Sequence, residues 1–508
     1  MSLYEKSRVV IVGGGSAGWM TACYLNHVFG NNSQFEVTLI ESADVPTIGV
    51  GEATVHTLRG FLEACDLSEG EFMVATDATL KHGILFKHWQ IGDDPKDQYF
   101  HPFEDIAPIA PEGVINHWLN LKFKSATPPR FDRFMGVQGI LAAAEKSPKL
   151  MHDSQYRAPV PYGYHLDAIK FAHFLRDVSV KRGVKHICDH VTDVNHQDGI
   201  IGSVRLASGQ QVEGDLFIDC SGFRSILASA LGATFISYSD KLFCDKAVTA
   251  RVPQSDKFVP KPYTTATARR SGWTFDIDLQ SRKGLGYVYS SQHLSEMEAE
   301  AEFRQVFGLG DEQGVNHFTT RVGRQDRAWV GNCVSIGLAQ GFIEPLESTG
   351  LYFIEMSLRF LTDYLVLEDS DAARDKYNAV LNNLFDQTVD FIVLHYVLTK
   401  RHDTPFWQDI QTNMARSGDL NELLQLWKHK APTDSDFLNA GLIFRATNYA
   451  AILYGMESLP QDLPTIVRHM GIEQSHEVLS KIQSVQKMAI TSSPSHQEFL
   501  QKFLGAFS

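Results

Sequence analysis

The stretch VVIVGGGSAGWM, residues 9–20, leaves a chain few ways to fold. A run of β-branched residues is cut off by three glycines, and a helical pattern runs from Ala17 to about His27. A second β-rich run, FEVTLIE, follows and ends on Glu41. Gly13, Gly15 and Gly18 form G-x-G-x-x-G in the strand-turn-helix context that the motif requires. Gly13 permits the tight turn, Gly15 lets a pyrophosphate approach the backbone, and Gly18 lets helix and strand pack closely. The positive N-terminal end of that helix favours phosphate. Glu41 can accept a hydrogen bond from an adenosine ribose. These glycines leave both flavin and nicotinamide open. The chain has no second fingerprint, which argues against a reductase carrying FAD and NAD(P) on two such domains.

Another buried strand is expected in GDLFIDCSGF, and β-type residues dominate from about 245 to 330, including GWTFDIDL and GLGYVYSS. From about residue 350 the pattern turns helical. Tyr377, Leu381, Leu384, Phe385, Ile392 and Tyr396 fall on one helical face. The expected organisation is an α/β region over 1–350, with a β-rich sheet around 245–330, and a helical region over 351–508.

The 508 residues are 44% hydrophobic and 21% charged, an ordinary globular composition. A net charge of −14 argues against nucleic acid as a partner. Six scattered cysteines without a CxxC pair suggest neither a zinc site nor a disulfide framework. No metal is expected, and a reducing, cytoplasmic setting is. No stretch approaches an uninterrupted membrane span, so no membrane association is expected.

Eight separated stretches resemble the flavin-dependent tryptophan halogenases: GGGSAGW, IGVGEATV, TDATLKHGILF, YFHPF, YGYHLDAIKFAHFLR, DLFIDCSGFRS, GNCVSIGLAQGFIEPLESTG and DFIVLHYVLTKRHDTPFW. The resemblance implies a Rossmann-type FAD domain of the flavin monooxygenase kind, a β-rich insertion, and a helical C-terminal region lining the substrate pocket. It implies FADH2 supplied by a separate flavin reductase, O2, and chloride or bromide. The hypohalous acid HOX formed at the flavin would travel to Lys81 of ATLKHG. A partly buried ammonium there could donate a hydrogen bond to HOX, or a desolvated amine could itself be halogenated. Taken alone, Lys81 would read as a solvated surface residue.

The family's second catalytic residue matches Glu347, and its halide-binding residues match Thr349 and Gly350. The amides of Thr349 and Gly350 open a helix and could hold an anion. Without the resemblance, the same stretch reads as a capped helix start. The FAD contacts carried over are Gly13, Gly15, Ser16, Ala17, Gly18, Glu41, Gly49, Val50 and Ala53. Val191 is added on the adenine side, and Leu338 and Leu351 flank the isoalloxazine. His101, Phe103 and Tyr449 would line the aromatic pocket.

Two departures matter. The family's Gly-Trp-x-Trp-x-Ile-Pro segment, which would keep substrate from the flavin, reads here GWTFDID, with Phe275 and Asp278 at the altered positions. No tryptophan follows Trp427, so a tail residue that could sandwich free tryptophan is missing. The expected substrate is indole, a substituted indole or another electron-rich arene, with a homodimer as the expected assembly. Two other readings compete: a flavin monooxygenase that hydroxylates an arene directly, and a flavin-binding protein without turnover.

Overall fold

The computed structural model describes residues 7–30, 35–44, 51–106, 109–110, 113–255, 257–366, 370–437 and 443–507. The chain forms two compact units, each gathered from three stretches. The first takes Met1–Ala78, Leu166–Ser239 and Thr319–Asp386; the second takes Thr79–His165, Asp240–Phe318 and Gln387–Ser508.

The first unit is built on a six-stranded sheet. Its order is Trp329–Val330, Cys333–Ser335, Leu216–Asp219, Ser7–Val12, Phe35–Glu41 and Lys185–Cys188. All neighbours are parallel except the first pair. Strands of such a sheet are covered on both faces, which is why VVIV and LFID read as unbroken apolar runs. Val10, Val12, Ile40 and Phe217 join Ile201, Val204 and Leu206 of a three-stranded antiparallel sheet in one hydrophobic cluster.

Register brings the chemistry to one edge. Val12 lies beside both Ile40 and Asp219, so the Gly13 turn, Glu41 and Asp219 all lie at the C-terminal ends of the parallel strands. Ligands of doubly wound sheets bind at that edge. Asp219 is fully buried and organises the chain that follows it. Its carboxylate accepts from Ser221 N at 3.0 Å, Ser221 Oγ at 2.5 Å, Leu227 N at 2.8 Å and Ala228 N at 3.0 Å.

The second unit holds a seven-stranded sheet. Its order is Asn316–Thr319, Lys246–Pro253, Arg282–Tyr289, Gly272–Asp278, Thr264–Arg269, Gly83–Lys87 and Gln98–Pro102. The GWTFDID segment is therefore a central strand, and Phe275 lies against Gly286 of its neighbour, where a Cβ would come within 2.2 Å of the ring. A short strand, Thr79–Lys81, pairs antiparallel with Gly163–Leu166. Helices Ala446–Gly455, Ile472–Ser492 and His496–Leu504 complete the C-terminal part. Helix Asp371–Val397 buries all six residues assigned to one face from the sequence. The mixed α/β architecture and helical C-terminal part are those expected from the sequence. Among the described residues, no helix is long and apolar enough to cross a membrane.

Removing the Asp219 carboxylate leaves the Leu227 and Ala228 amides without their acceptor, at about 1–3 kcal/mol for each buried donor left unsatisfied. Asp219→Ala is expected to lower the melting temperature by several degrees and to strip hydrogen-exchange protection from those two amides. Asp219→Asn should retain part of both, and unchanged protection in the alanine variant would contradict the assignment.

Candidate active site

The first strand ends in a turn that only glycine fits. Gly13 has φ +115°, and a Cβ there would lie 2.2 Å from the Cys220 carbonyl oxygen. Helix Ser16–Phe29 starts after Gly15 with no side-chain cap, and Gly15, Ser16 and Ala17 are half-buried. Gly18 lies against the Gly13 carbonyl. The middle glycine, which the motif does not use, has its own reason: a Cβ on Gly14 would come within 1.6 Å of the Glu41 carboxylate. Glu41 thus lies directly over the turn, and its Oε1 pairs with His186 Nε2 at 2.8 Å. An uncapped helix start beside a cradle without side chains, with a carboxylate at its rim, fits a dinucleotide pyrophosphate and its ribose.

Other cofactor expectations divide. Leu338 lies half-buried in the turn Gly337–Ala339, where Gly337 packs against Ala17. Leu351 is buried in the first turn of helix Gly350–Tyr364, and Ala53 is half-buried. Val191 belongs to the hydrophobic cluster under the sheet. Gly49 and Val50 lie outside the described residues.

The ESTG stretch is a sharp reversal. Pro345–Glu347 form a 3-10 turn, Ser348 adopts a left-handed conformation with φ +61°, and Thr349 precedes the helix Gly350–Tyr364. Glu344, Glu347, Ser348 and Thr349 are buried, whereas Gly350 is exposed and a Cβ on it would meet nothing within 4 Å. No side chain caps the helix, and its first turn carries no acid. The positive end of this helix is therefore left without a capping side chain or a nearby first-turn acid, an arrangement that suits a small anion.

Lys81, in the second unit, is no surface lysine: its exposure is 0%. Its Nζ lies 5.1 Å from the centre of the Phe103 ring. Burial favours the neutral form of the histidines of this segment, and their hydrogen bonds are compatible with it. The Thr79 hydroxyl donates to Asp278 O at 2.7 Å. His165 Nδ1 must then donate to Thr79 Oγ1 at 3.3 Å, and His165 Nε2 accepts from Thr264 Oγ1 at 2.9 Å. His82 Nε2 donates to Lys146 O at 3.0 Å. Burial pushes His82 down to about 3 and His496 down to about 4. Burial, followed by the charge of Lys81, holds His165 well below the usual histidine range.

His101 and Tyr449 come together in the same unit. Asn448 Nδ2 donates to His101 Nε2 at 3.0 Å. Phe391 stacks on Phe444 with ring centres 3.9 Å apart, and its centre lies 4.9 Å from Tyr449 and 5.7 Å from His101. Trp427 and Phe437 also pack against Tyr449, with ring centres at 5.2 and 5.0 Å. The last tryptophan of the chain is thus part of this aromatic cluster. Phe103 neighbours Lys81 instead. Asn448, Phe391 and Phe444 were not singled out from the sequence. Their only signal was membership of DFIVLHYV and FRATNYAA, because the bond to His101 spans 347 residues.

The family model described as tryptophan halogenase matches residues 8–471. The tryptophan 6-halogenase SttH of Streptomyces toxytricini is 38% identical over 482 residues, covering 90% of each chain. Among solved structures, Tar14, a tryptophan C-6 flavin-dependent halogenase from taromycin biosynthesis, matches with a TM-score of 0.92. Its identity is 35%, over 98% of this chain and 100% of Tar14. BrvH, a flavin-dependent halogenase from Brevundimonas sp. BAL3, matches at 0.89 with 32% identity over 98% and 99% of the two chains. The chain belongs to the tryptophan halogenase family and is a flavin-dependent halogenase, a two-component enzyme that works with FAD and a halide ion.

Proposed function

We propose that the protein halogenates indole, a substituted indole or another electron-rich arene, through HOX relayed to Lys81. FADH2 from a separate reductase, with O2, supplies the oxidising equivalent that turns chloride or bromide into HOX. The Gly13–Gly18 turn holds the pyrophosphate, Glu41 the ribose, and the amides of Thr349 and Gly350 the halide. Lys81 hands on the electrophilic halogen, and Glu347 polarises HOX or accepts the proton lost from the ring. The balance is ArH + HOX giving ArX + H2O.

The observation that carries this reading is the complete burial of Lys81 among neutral histidines, beside an aromatic ring. A solvated lysine would need none of these neighbours. His101, Asn448 and the Phe391–Phe444–Tyr449 wall are proposed to receive a flat, electron-rich ring by edge and face contacts. Six free cysteines suit a reducing cytoplasm, and a homodimer is the proposed assembly.

The direct test supplies FAD, a flavin reductase, NADH, O2 and bromide with indole, and reads halogenated product by mass spectrometry. Lys81→Ala and Glu347→Gln should each lower product formation by roughly 10²-fold or more while flavin-dependent O2 consumption persists. Full halogenation by Lys81→Ala, or an oxygenated product formed equally well without halide, would defeat the proposal.

Asn448→Ala removes the hydrogen bond that Asn448 Nδ2 donates to His101 Nε2. It should raise the KM for indole by roughly three- to tenfold, the scale of one neutral hydrogen bond, with little change in kcat. An unchanged KM would remove this wall from the substrate site.

A further inference from the structure

The strand that carries Lys81 has only three residues and, among the described residues, one strand partner, Gly163–Leu166. Part of what else holds it comes from the far end of the chain. Ser147 N donates to Pro494 O at 3.0 Å, His496 N to Glu145 O at 2.9 Å, and Lys146 Nζ to Ser493 O at 3.0 Å. These bonds seat the start of helix His496–Leu504, whose first turn Ser495 caps by accepting from Glu498 N at 3.1 Å.

The seat delivers a fully buried imidazole to the lysine strand. His496 Nδ1 lies 2.9 Å from Pro260 O, and Leu80 N lies 3.2 Å from His496 Nε2. A carbonyl only accepts and an amide only donates. The ring is therefore neutral, with its proton on Nδ1 and its Nε2 lone pair on the Leu80 amide. Leu80 immediately precedes Lys81. On the other flank, His82 N donates to Pro262 O at 2.8 Å, and Phe103 N donates to His82 O at 3.1 Å. Lys81 is thus fastened on both sides, and His496 ties one flank to the same 260–262 loop that fastens the other.

We propose that His496 is a positioning residue for the halogenation reaction: its neutral imidazole, by accepting from the Leu80 amide, fixes the backbone from which Lys81 reaches the electrophilic halogen. The proposal rests on the reading of Lys81 as the residue that hands on the halogen. His496 lies beyond residue 471, where the family model stops. Displacing a reacting group by about 1 Å can lower a rate by roughly 10². Loosening Leu80 should therefore harm the halogen transfer step and leave oxidant formation alone.

The test uses the full chain with FAD, reductase, O2, bromide and indole, and compares His496→Ala, His496→Asn and His496→Gln. Glutamine can place an acceptor oxygen near the Nε2 position; asparagine reaches only the Nδ1 position. For the alanine and asparagine variants, flavin-dependent O2 consumption and the KM for indole should stay within about twofold of the parent. Their kcat for bromoindole should fall about tenfold or more. HOBr captured by a halogen-accepting dye in bulk solution should rise, and glutamine should restore most of the coupling.

Unchanged coupling in the asparagine variant, or equal coupling in the asparagine and glutamine variants, overturns the proposal. So does a loss of O2 consumption in proportion to a fall in melting temperature, which would mark a purely structural role. If the alanine variant does not fold, the asparagine–glutamine pair decides. Lys81→Ala is run in parallel. Retained halogenation there removes the underlying reading, whereas an inactive Lys81→Ala beside a fully coupled His496→Asn removes only the present proposal.

Discussion

A lysine side chain with none of its surface exposed is the constraint around which the second unit is arranged. Removing such a group from water is unfavourable, and a buried charge beside further cations would be worse still. The surrounding histidines meet that constraint by remaining neutral. Each ring of His82, His165 and His496 has its proton committed to a specific acceptor, and burial keeps a second proton off. Thr79, Thr264 and the carbonyls of Asp278, Lys146 and Pro260 provide polar partners that carry no charge of their own. The histidines therefore add polar contacts but no further positive charge beside Lys81.

The first unit solves a different problem, that of keeping backbone amides available at a chain reversal. In the nucleotide turn, glycine does this by removing side chains: Gly13 touches the Cys220 carbonyl, and Gly14 leaves room for Glu41. In the ESTG turn the reversal is made by Ser348, a non-glycine residue in the left-handed region, with the buried Glu347 before it and an uncapped helix after it. Strain of this kind persists only where the surroundings hold it, and it concentrates at functional sites. Both turns deliver a helix N-terminus without a side-chain cap, a feature suited to anions.

Much of this was legible in the residues. The glycine spacing, the terminal Glu41 and the apolar VVIV run required a strand-turn-helix, and the helix begins at Ser16, one residue before the position read from the pattern. The helical face from Tyr377 to Tyr396 was equally legible, because a 3.6-residue period is a local property. GWTFDID was legible as β, though its central place in a seven-stranded sheet was not. That place depends on pairing with 264–269 and 282–289 and on Gly286 making room for Phe275. Nothing local to Phe391, Phe444 or Asn448 announced their meeting with His101.

By itself the sequence determined the kind of protein: a dinucleotide turn, an anion-suited helix start and a set of motifs that mark the family. Those features are carried by neighbouring residues through backbone geometry and steric room, so spacing alone expresses them. Tertiary structure alone decided the electrostatic state of the Lys81 segment and what holds it in place. Burial, imidazole tautomer and the acceptor for the Leu80 amide depend on residues 496, 260 and 146, brought in from far along the chain. Desolvation acts through space, and no local pattern around ATLKHG records which distant groups will exclude the water.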